Sequence, residues 1–504
     1  MISEAKPASI VAGSLENVSN TMKTETYGKH AAHGAFWTIL FSLLNKVVAF
    51  GSQIALAWYL APADLGLAAM AFSVTSISSA LLGANLQRIL IQRQENSPAT
   101  AGQVFWLALG MNTAAALLLA AFAPLAGIIF HDARVTPLIL IVAAAVPIMA
   151  LNTIYSATLL RDLRFRAIAG IQFGEGLIRN GLAVALAAIG FASYSIVLPI
   201  VVSSVFSALA CRTMAGKIPL ESPKPRNWPP FLASASWLML NALFTSIQNY
   251  GTNFVIGIMQ NATVAGFFYW GSSLSSQAVF LLATNLQGVL FPVLTKLNHD
   301  AARQYEAFRK ICQTLMFVII PVCVLQMLLA TDVIGLLFPK KWLPAAAVIQ
   351  WLSLGLVFQP LGIASNALLL ARGAYSKLAL RNGATGALTI LAAWHGATFG
   401  GADSIAKWNA ISLVLGNFFL GWIAIRELKG KFSTIWISIL PSLLLGLAMA
   451  IEGVFLLMKL SNATPLQKLM IVGAATSLTY LLLAFLCCRQ LMIEMWTRFL
   501  HWKS

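Results

Sequence analysis

Charged side chains inside apolar stretches are the residues of this sequence best placed to do chemistry. They are Lys46, Glu175, Arg179 and Glu452. A charge at the centre of a membrane-spanning helix costs about 2.5 to 3.5 kcal/mol, so each is a candidate functional residue. Glu175 and Arg179 are four residues apart and could instead form a structural ion pair on one helix face. Lys46 has no acidic residue on its own stretch, and we interpret it as a cation for an anionic ligand, unless a carbonyl or water satisfies it.

Neutral hydrogen-bonding side chains form a second set of candidates. On the apolar stretch after residue 231 they recur every three or four positions, which puts them on one face of a helix. These positions are Asn241, Thr245, Gln248, Asn249, Thr252 and Asn253. The first apolar stretch offers Asn45, Ser52 and Gln53 around Lys46. We expect the polar faces to line a hydrated cavity, unless the amides and hydroxyls only hold neighbouring helices together.

An internal repeat relates the two stretches that carry these residues. Residues 34–93 match residues 234–293 without gaps at 14 of 60 positions. The identities include Trp37, Gly51 and the tripeptide Asn-Leu-Gln that starts at Asn85 and again at Asn285. Such residue types are poor candidates for chance matches in a chain dominated by Leu and Ala. We infer a duplicated half, and we add Asn85 and Asn285 to the candidate residues.

The elements that position the candidates must lie in a membrane. The 504 residues are 59% hydrophobic and 10% charged, with a mean hydropathy of +0.80, which leaves too little polar surface for a soluble core. In hydrocarbon the apolar runs must be helices, because a helix satisfies its own backbone hydrogen bonds. We therefore predict an all-α polytopic membrane protein with fourteen spans. They start near residues 34, 65, 103, 135, 167, 191, 231, 263, 310, 343, 378, 405, 433 and 466.

Lysine and arginine divide unevenly between the two sides of this topology. With a cytoplasmic N-terminus, inside segments hold 25 of the 33 and outside segments hold six. This bias predicts that both termini are cytoplasmic. The net charge of +17 then reports topology, and we expect no nucleic-acid partner. Residues 1–33 have no apolar signal-peptide core, so we expect the first span to act as the insertion signal.

A proline-rich stretch divides the spans into two groups. Five prolines fall between residues 217 and 230, after the sixth span. Because six is an even number, the second copy enters the membrane in the same direction as the first, which predicts a parallel repeat. The predicted divisions are a cytoplasmic tail (1–33), a six-helix N-lobe (34–216), the linker (217–230), a six-helix C-lobe (231–427), an accessory helix pair (428–488) and a cytoplasmic C-terminus (489–504).

Motifs for catalysis are missing from the sequence. It has no Walker A, HExxH or GxSxG pattern, and its six histidines lack metal-ligand spacing. The predicted loops are short, so none could house a separate catalytic fold. We expect neither an enzyme nor a bound cofactor.

Five motifs follow one another along the chain in a specific order and spacing. They are GAFWTILFSLLNKVVAF with LAPADLGL, then ILIQRQE, ATLLRDLRF, NLQGVLFPVLTKL and LLFPKKW. Together they make residues 30 to 490 resemble the bacterial polysaccharide flippases of the exopolysaccharide and colanic-acid exporter type, within the multidrug/oligosaccharidyl-lipid/polysaccharide exporter superfamily. Departures at Pro62 to Leu65 and at Pro339 do not touch the candidate residues.

The resemblance implies two six-helix lobes in a V. By alternating access they would carry an oligosaccharide linked to undecaprenyl pyrophosphate to the periplasmic leaflet of the bacterial inner membrane. Lys46 and Arg179 would hold the pyrophosphate, and the amides and hydroxyls would hold the sugars. The implied partners are a polymerase and a chain-length regulator of the same pathway. The alternatives are a cation-coupled multidrug exporter, with Glu175 as its carboxylate, and a membrane-embedded polysaccharide polymerase or ligase.

Overall fold

The computed structural model describes residues 37–82, 98–162, 164–216, 222–224 and 228–487. Within these residues the regular elements are helices, fifteen of them long. They are α1 (Trp37–Tyr59), α2 (Pro62–Leu82), α3 (Pro98–Ile129), α4 (Val135–Arg161), α5 (Phe165–Ala188), α6 (Tyr194–Ala215), α7 (Pro229–Met259), α8 (Ala262–Lys296), α9 (Ala301–Leu337), α10 (Ala345–Leu356), α11 (Gln359–Ala371), α12 (Tyr375–Phe399), α13 (Ala402–Glu427), α14 (Phe432–Lys459) and α15 (Pro465–Cys487). A short 3₁₀ turn, Lys340–Trp342, lies between α9 and α10.

The fourteen predicted spans correspond to these helices one for one except at the tenth, which is two helices. α10 and α11 are bent by 50° relative to each other. Pro360, the second residue of α11, has no backbone N–H and cannot continue the hydrogen-bond ladder of α10 across the break. Eight of the described helices are long and apolar enough to cross a membrane, or nine if the bent pair is one span. The prediction of an all-α polytopic membrane protein is confirmed.

The internal repeat is visible in where the helices end. α1 ends at Tyr59 and α7 at Met259, and the next helix begins three residues later in both copies. Both turns are capped between equivalent positions. The Ala61 N–H donates to the Asp64 carboxylate at 2.9 Å, and the Asn261 side-chain oxygen accepts from the Val264 N–H at 3.0 Å. We call the end of the molecule that carries these two turns the hairpin end; the charge bias predicts that it faces outside.

Side chains from both halves of the chain share one core near the hairpin end. Met70 of α2 packs with Ile256 of α7 and Phe268 of α8 in the same buried cluster. A second cluster joins α9 to the accessory helices, where the Tyr480 hydroxyl of α15 donates to the Phe317 carbonyl at 2.7 Å. The predicted lobe boundaries stay predictions, and most of the proline-rich linker lies outside the described residues.

Candidate functional site

Two glycines bring the hairpins together at the hairpin end. A Cβ added at Gly66 of α2 would overlap the Ala262 carbonyl oxygen of α8, and one added at Gly266 would overlap the Pro62 carbonyl oxygen. Gly66 and Gly266 are equivalent in the repeat, as are Pro62 and Ala262, so the contact has two-fold symmetry. Glycine is required because any side chain would displace the facing backbone. The first turns of α2 and α8 therefore close the gap between the two halves at this end.

The end of α1 is fastened to the second half by the turn between α9 and α10. Trp342 Nε1 donates to the Ala57 carbonyl at 2.8 Å, and Lys341 Nζ donates to the Trp58 carbonyl at 3.1 Å. Trp58 Nε1 donates in the other direction, to the Leu337 carbonyl at 3.2 Å. We call these five residues the clasp. Three hydrogen bonds of the clasp link residues almost 300 positions apart in sequence, so it joins the two halves rather than neighbouring helices.

Aromatic packing supports the clasp. The Trp342 side chain is 0% exposed, and its ring centroid lies 4.6 Å from that of Trp270 of α8. Partial burial lowers the pKa of Lys341, and the nearby Asp64 carboxylate opposes that shift. The bond from Trp342 to Ala57 is buried, and a hydrogen bond away from water is electrostatically stronger than one in it. The clasp and the glycine contact together hold the hairpin end closed.

One side-chain hydrogen bond crosses between the halves further along the helices. Gln53 Nε2 of α1 donates to Ser273 Oγ of α8 at 2.8 Å. The equivalent pair in the other direction is Asn253 of α7 and Ser73 of α2. Ser73 Oγ instead donates to the Met70 carbonyl, and the buried Asn253 Oδ1 has no partner among the described residues. The two halves are symmetric in backbone contact but asymmetric in this polar contact.

Lys46 lies on the same face of α1 as Gln53, because seven residues make two helical turns. Gln53 reaches α8 in the second half, so this face of α1 looks toward that half. Lys46 sits on it about 10 Å further from the hairpin end. A different face of α1 packs on α5, where Phe41 stacks on Phe173 with the ring centroids 5.5 Å apart.

Helix α5 places Glu175 and Arg179 beside α1. The Asn45 amide of α1 packs against Gly176, where any side chain would overlap it. Over the part of the chain that the structure describes, no ion pair joins Glu175 to Arg179. Arg179 is exposed, and its charge acts on the Tyr269 hydroxyl of α8 in the second half. Arg179 is therefore an exposed cation of the first half that lies within electrostatic range of the second half.

The polar face of α7 is divided between two environments. Asn382 Nδ2 of α12 donates to Asn241 Oδ1 at 2.7 Å, and Asn409 Nδ2 of α13 donates to Thr252 Oγ1 at 2.6 Å. These two positions bind helices that follow α7 in its own half. The other predicted positions are partly buried at Gln248, exposed at Asn249 and buried at Asn253. Asn285 lies on α8, and Asn85 lies outside the described residues.

Sequence reasoning missed Arg381. It counted this residue among the charges of an inside segment, but α12 begins six residues earlier and the side chain is only 6% exposed. The signal that could have found it is the run of polar residues at helical spacing that follows, Asn382, Thr385 and Thr389, all buried. Glu452 has a structural partner, since its carboxylate accepts from Thr479 Oγ1 at 3.1 Å and links α14 to α15.

Two bacterial proteins of polysaccharide biosynthesis are relatives of this chain. The succinoglycan biosynthesis transport protein ExoT of Rhizobium meliloti (strain 1021) is 25% identical over 328 residues, which are 62% of this chain and 64% of that protein. The lipopolysaccharide biosynthesis protein WzxC of Escherichia coli (strain K12) is 20% identical over 341 residues, which are 67% of this chain and 69% of that protein. The match to ExoT thus spans slightly less than two thirds of its length.

Solved transporter structures share the fold. The lipid II flippase MurJ in an inward closed conformation superposes with a TM-score of 0.70 at 16% identity, over 90% of this chain and 100% of MurJ. A multidrug resistance transporter of the MATE family, in an inward-facing conformation, gives a TM-score of 0.59 at 14% identity over 78% of this chain and 98% of its own. At such identities the likeness establishes the fold alone.

The family model described as polysaccharide biosynthesis protein matches residues 55–347, more than half of the chain. The matched range contains the glycine contact between α2 and α8 and all five residues of the clasp. It also contains the whole of α7, with its polar face. The chain is a multi-pass membrane protein that belongs to the polysaccharide biosynthesis protein family.

Proposed function

We propose that this protein flips lipid-linked oligosaccharides across the bacterial inner membrane by alternating access, for the synthesis of an exopolysaccharide, capsule or O-antigen. The observation that carries the proposal is the difference between the two ends of α1 and α7. At the hairpin end the glycine contact and the clasp join the halves. Towards the other end no side chain is buried between residues 37 and 51 of α1 or between residues 239 and 250 of α7.

Alternating access needs contacts that can part without unfolding either half. In their first turns α2 and α8 meet as backbone against glycine, and further along the two helices Met70 and Phe268 share one buried apolar cluster. The clasp adds three hydrogen bonds, each of which contributes only about 0.5 to 1.5 kcal/mol net because water can replace it. We therefore expect the hairpin end to open when a ligand binds the open state more tightly than the closed state, by enough to offset these contacts.

The ligand chemistry fits a pyrophosphate joined to a sugar chain. A pyrophosphate needs fixed positive charge, which Lys46 and Arg179 supply from neighbouring helices of the first half. Sugar hydroxyls need neutral donors and acceptors, which the amides of Gln248, Asn249 and Asn253 on α7 supply. The isoprenoid tail can remain in lipid throughout. The names of the two relatives, one a transport protein, support the same substrate class.

The orientation follows from the charge bias. With lysine and arginine concentrated on one side, both termini are cytoplasmic and the hairpin end is periplasmic. The closed hairpin end then corresponds to a state that receives substrate from the cytoplasmic leaflet. A polymerase and a chain-length regulator would act on the product at the outer leaflet.

A second candidate function is cation-coupled export of drug-like molecules. The observation that favours it is the fold shared with a MATE multidrug transporter. Such coupling needs a carboxylate within a lobe, and Glu175 would be that group in the first half. Uptake measured in sealed vesicles separates the two: movement of polyprenyl-linked sugar without a drug substrate supports the flippase, and movement of cationic drugs against a proton or sodium gradient supports the exporter.

The proposal is tested in cells by where the lipid-linked repeat units accumulate. A deletion strain should retain single repeat units on the cytoplasmic leaflet, because the polymer cannot form until they cross. Accumulation on the outer leaflet would contradict a flippase and favour a polymerase or ligase, which acts after crossing.

The role of Lys46 is tested by substitution. Lys46→Ala should impair export while the protein remains in the membrane, and Lys46→Arg should retain activity because it keeps the positive charge. Ser246→Ala, at the equivalent position of the repeat, is the matched control and should export normally. Normal export by Lys46→Ala would remove Lys46 from the mechanism. For the neighbouring pair, wild-type export by the double variant Glu175→Ala with Arg179→Ala would show that both are structural.

A further inference from the structure

Arg381 is a buried charge with little to balance it. It lies on α12, about 9 Å from the start of that helix at Tyr375 and so towards the end opposite the hairpins. Its guanidinium donates from Nη1 to Asn382 Oδ1 at 2.6 Å. Among the residues that the structure describes, its buried Nε has no hydrogen-bond partner and no carboxylate lies within ion-pair distance. An arginine has five N–H donors, so most of its capacity is unused here.

The hydrogen bonds around Arg381 occupy the side-chain oxygens of Asn382 and Asn241 and leave N–H groups free to bind a ligand. An arginine can only donate, so Asn382 must turn its Oδ1 to Arg381 and its Nδ2 away. That Nδ2 donates to Asn241 Oδ1 of α7 at 2.7 Å, which fixes the Asn241 amide in turn. The groups left to meet a ligand are the N–H groups of Arg381 and the Nδ2 of Asn241. Only a hydrogen-bond acceptor fits such a site, and next to a guanidinium the favoured acceptor is an anion.

Close packing holds the two helices of this site in place. A Cβ at Gly383 of α12 would lie 3.1 Å from the Phe244 ring of α7, and one at Gly386 would lie 3.2 Å from Ile247. The guanidinium therefore cannot reach a new protein partner by a small shift of either backbone. A buried charge without a counterion is strongly unfavourable, so an anion that reached Arg381 would be bound favourably.

We propose that Arg381 and Asn241 form an anion site for a phosphate-type oxyanion within the second half. The planar fork of arginine suits two oxygens of one phosphate group. Asn241 is equivalent to residue 41 in the repeat, which lies about 7.5 Å along α1 from Lys46. Lys46 and Arg381 would thus present one cation from each half at similar depth, but from helices that are not equivalent. The phosphate can come from the lipid-linked substrate, in which case the site rests on the proposed function, or from free inorganic phosphate.

The test is binding by the purified full-length protein, read from the rise in thermal unfolding temperature with increasing ligand. The probes are inorganic phosphate and undecaprenyl pyrophosphate, titrated separately. Wild type should be stabilised saturably by at least one of them, and Arg381→Gln should need at least tenfold more of that ligand. Arg303→Gln removes the same charge from an 81% exposed side chain of α9 and should respond as wild type does. A response of Arg381→Gln equal to that of wild type would overturn the site.

A second variant keeps the test decisive if Arg381→Gln does not fold. Asn241→Asp keeps the acceptor for Asn382 and places a carboxylate on the far side of the Asn382 amide from Arg381. It should be more stable than wild type without ligand and should lose the response to phosphate at least tenfold. If Asn241→Asp still binds as wild type does, Arg381 is not the anion site. If only undecaprenyl pyrophosphate stabilises the protein, the site binds the lipid-linked substrate. If both probes stabilise it, the site also binds free inorganic phosphate.

The site and the proposed function can fail separately. Arg381-dependent phosphate binding in a protein that moves no lipid-linked sugar in vesicles would contradict the flippase and leave the site standing. Transport in vesicles together with no effect of Arg381→Gln on binding would contradict the site and leave the flippase standing.

Discussion

The hairpins α1–α2 and α7–α8 share a register but are held differently. Between residues 37 and 51, seven residues of α1 are exposed, whereas two of the described residues between 237 and 251 of α7 are. A Cβ at Gly51 would meet nothing within 4 Å, while one at Gly251 would lie 2.9 Å from Ile390 of α12. Helix α7 is built into its own half along its length. Helix α1 packs on α5 along one face and leaves more of its surface exposed than α7 does, so we expect α1 to be the one that moves more.

The same comparison separates what the duplication kept from what it changed. Gly66 and Gly266 make reciprocal contacts, so a side chain at either position would push α2 and α8 apart. The faces that look into the space between the halves are free of that constraint. Lys46 has Ser246 as its equivalent in the repeat. Gln53 makes a hydrogen bond to the other half, and its equivalent Asn253 does not. The backbone contact between α2 and α8 is thus symmetric, whereas the residues that face the space between the halves are not.

The largest effect is expected at the clasp, which fastens the end of α1 to the second half. Trp342→Ala should cost about 3 to 5 kcal/mol, because it empties a fully buried site and removes the bond to Ala57. The thermal unfolding temperature of the purified protein should fall, and so should the rate of transport in vesicles. Trp351→Ala, at a 36% exposed position on α10, is the control and should change stability by well under half as much. Equal losses from the two substitutions would contradict a special role for the clasp.

The next effect concerns the part of the comparison that is symmetric. Gly66→Ala and Gly266→Ala should each disfavour the closed hairpin end by about 1 to 3 kcal/mol, a shift of roughly 5- to 150-fold. The two variants should lose transport to a similar degree, because each Cβ overlaps an equivalent carbonyl. Gly110→Ala on α3, where a Cβ meets nothing within 4 Å, should transport normally. A strong loss at one glycine with none at the other would break the two-fold equivalence.

The smallest effect concerns the polar contact that differs between the halves. Gln53→Leu should cost about 1 kcal/mol, since it removes the bond and leaves Ser273 without this donor. Asn253→Leu should be neutral or stabilising, because it removes a buried oxygen that has no partner among the described residues. The measurement is the free energy of unfolding of each variant relative to wild type, under the same conditions. A larger loss for Asn253→Leu would show that its amide is used in the resting state.

Local pattern was sufficient to predict the frame. Apolar runs predicted spans that start near residues 65 and 263, and α2 and α8 begin at Pro62 and Ala262, in register with the ungapped repeat. The broken tenth span was not predicted because its two helices form one apolar stretch, and Pro360 near its middle could equally have been a kink. Prediction therefore worked where each helix is dictated by its own residues.

Contacts between distant residues could not be predicted. The motif that contains Lys341 and Trp342 was noticed, but its partners in α1 lie almost 300 positions away, and no local pattern names them. Arg381 was misjudged for a related reason. The predicted span starts near residue 378, whereas α12 begins at Tyr375. Whether an arginine this close to a helix start reaches water or is covered by α7 depends on the tertiary packing.

The central claim is that the two hairpins part at the hairpin end during transport. Gln53→Cys with Ser273→Cys places two thiols at a contact that joins the halves, in a protein whose Cys487 and Cys488 are replaced by serine. A short, reducible bifunctional thiol reagent should cross-link the pair and lower vesicle transport of lipid-linked oligosaccharide at least tenfold, and reduction should restore it. Either single cysteine should be unaffected by the reagent. Undiminished transport by the cross-linked protein would contradict the account.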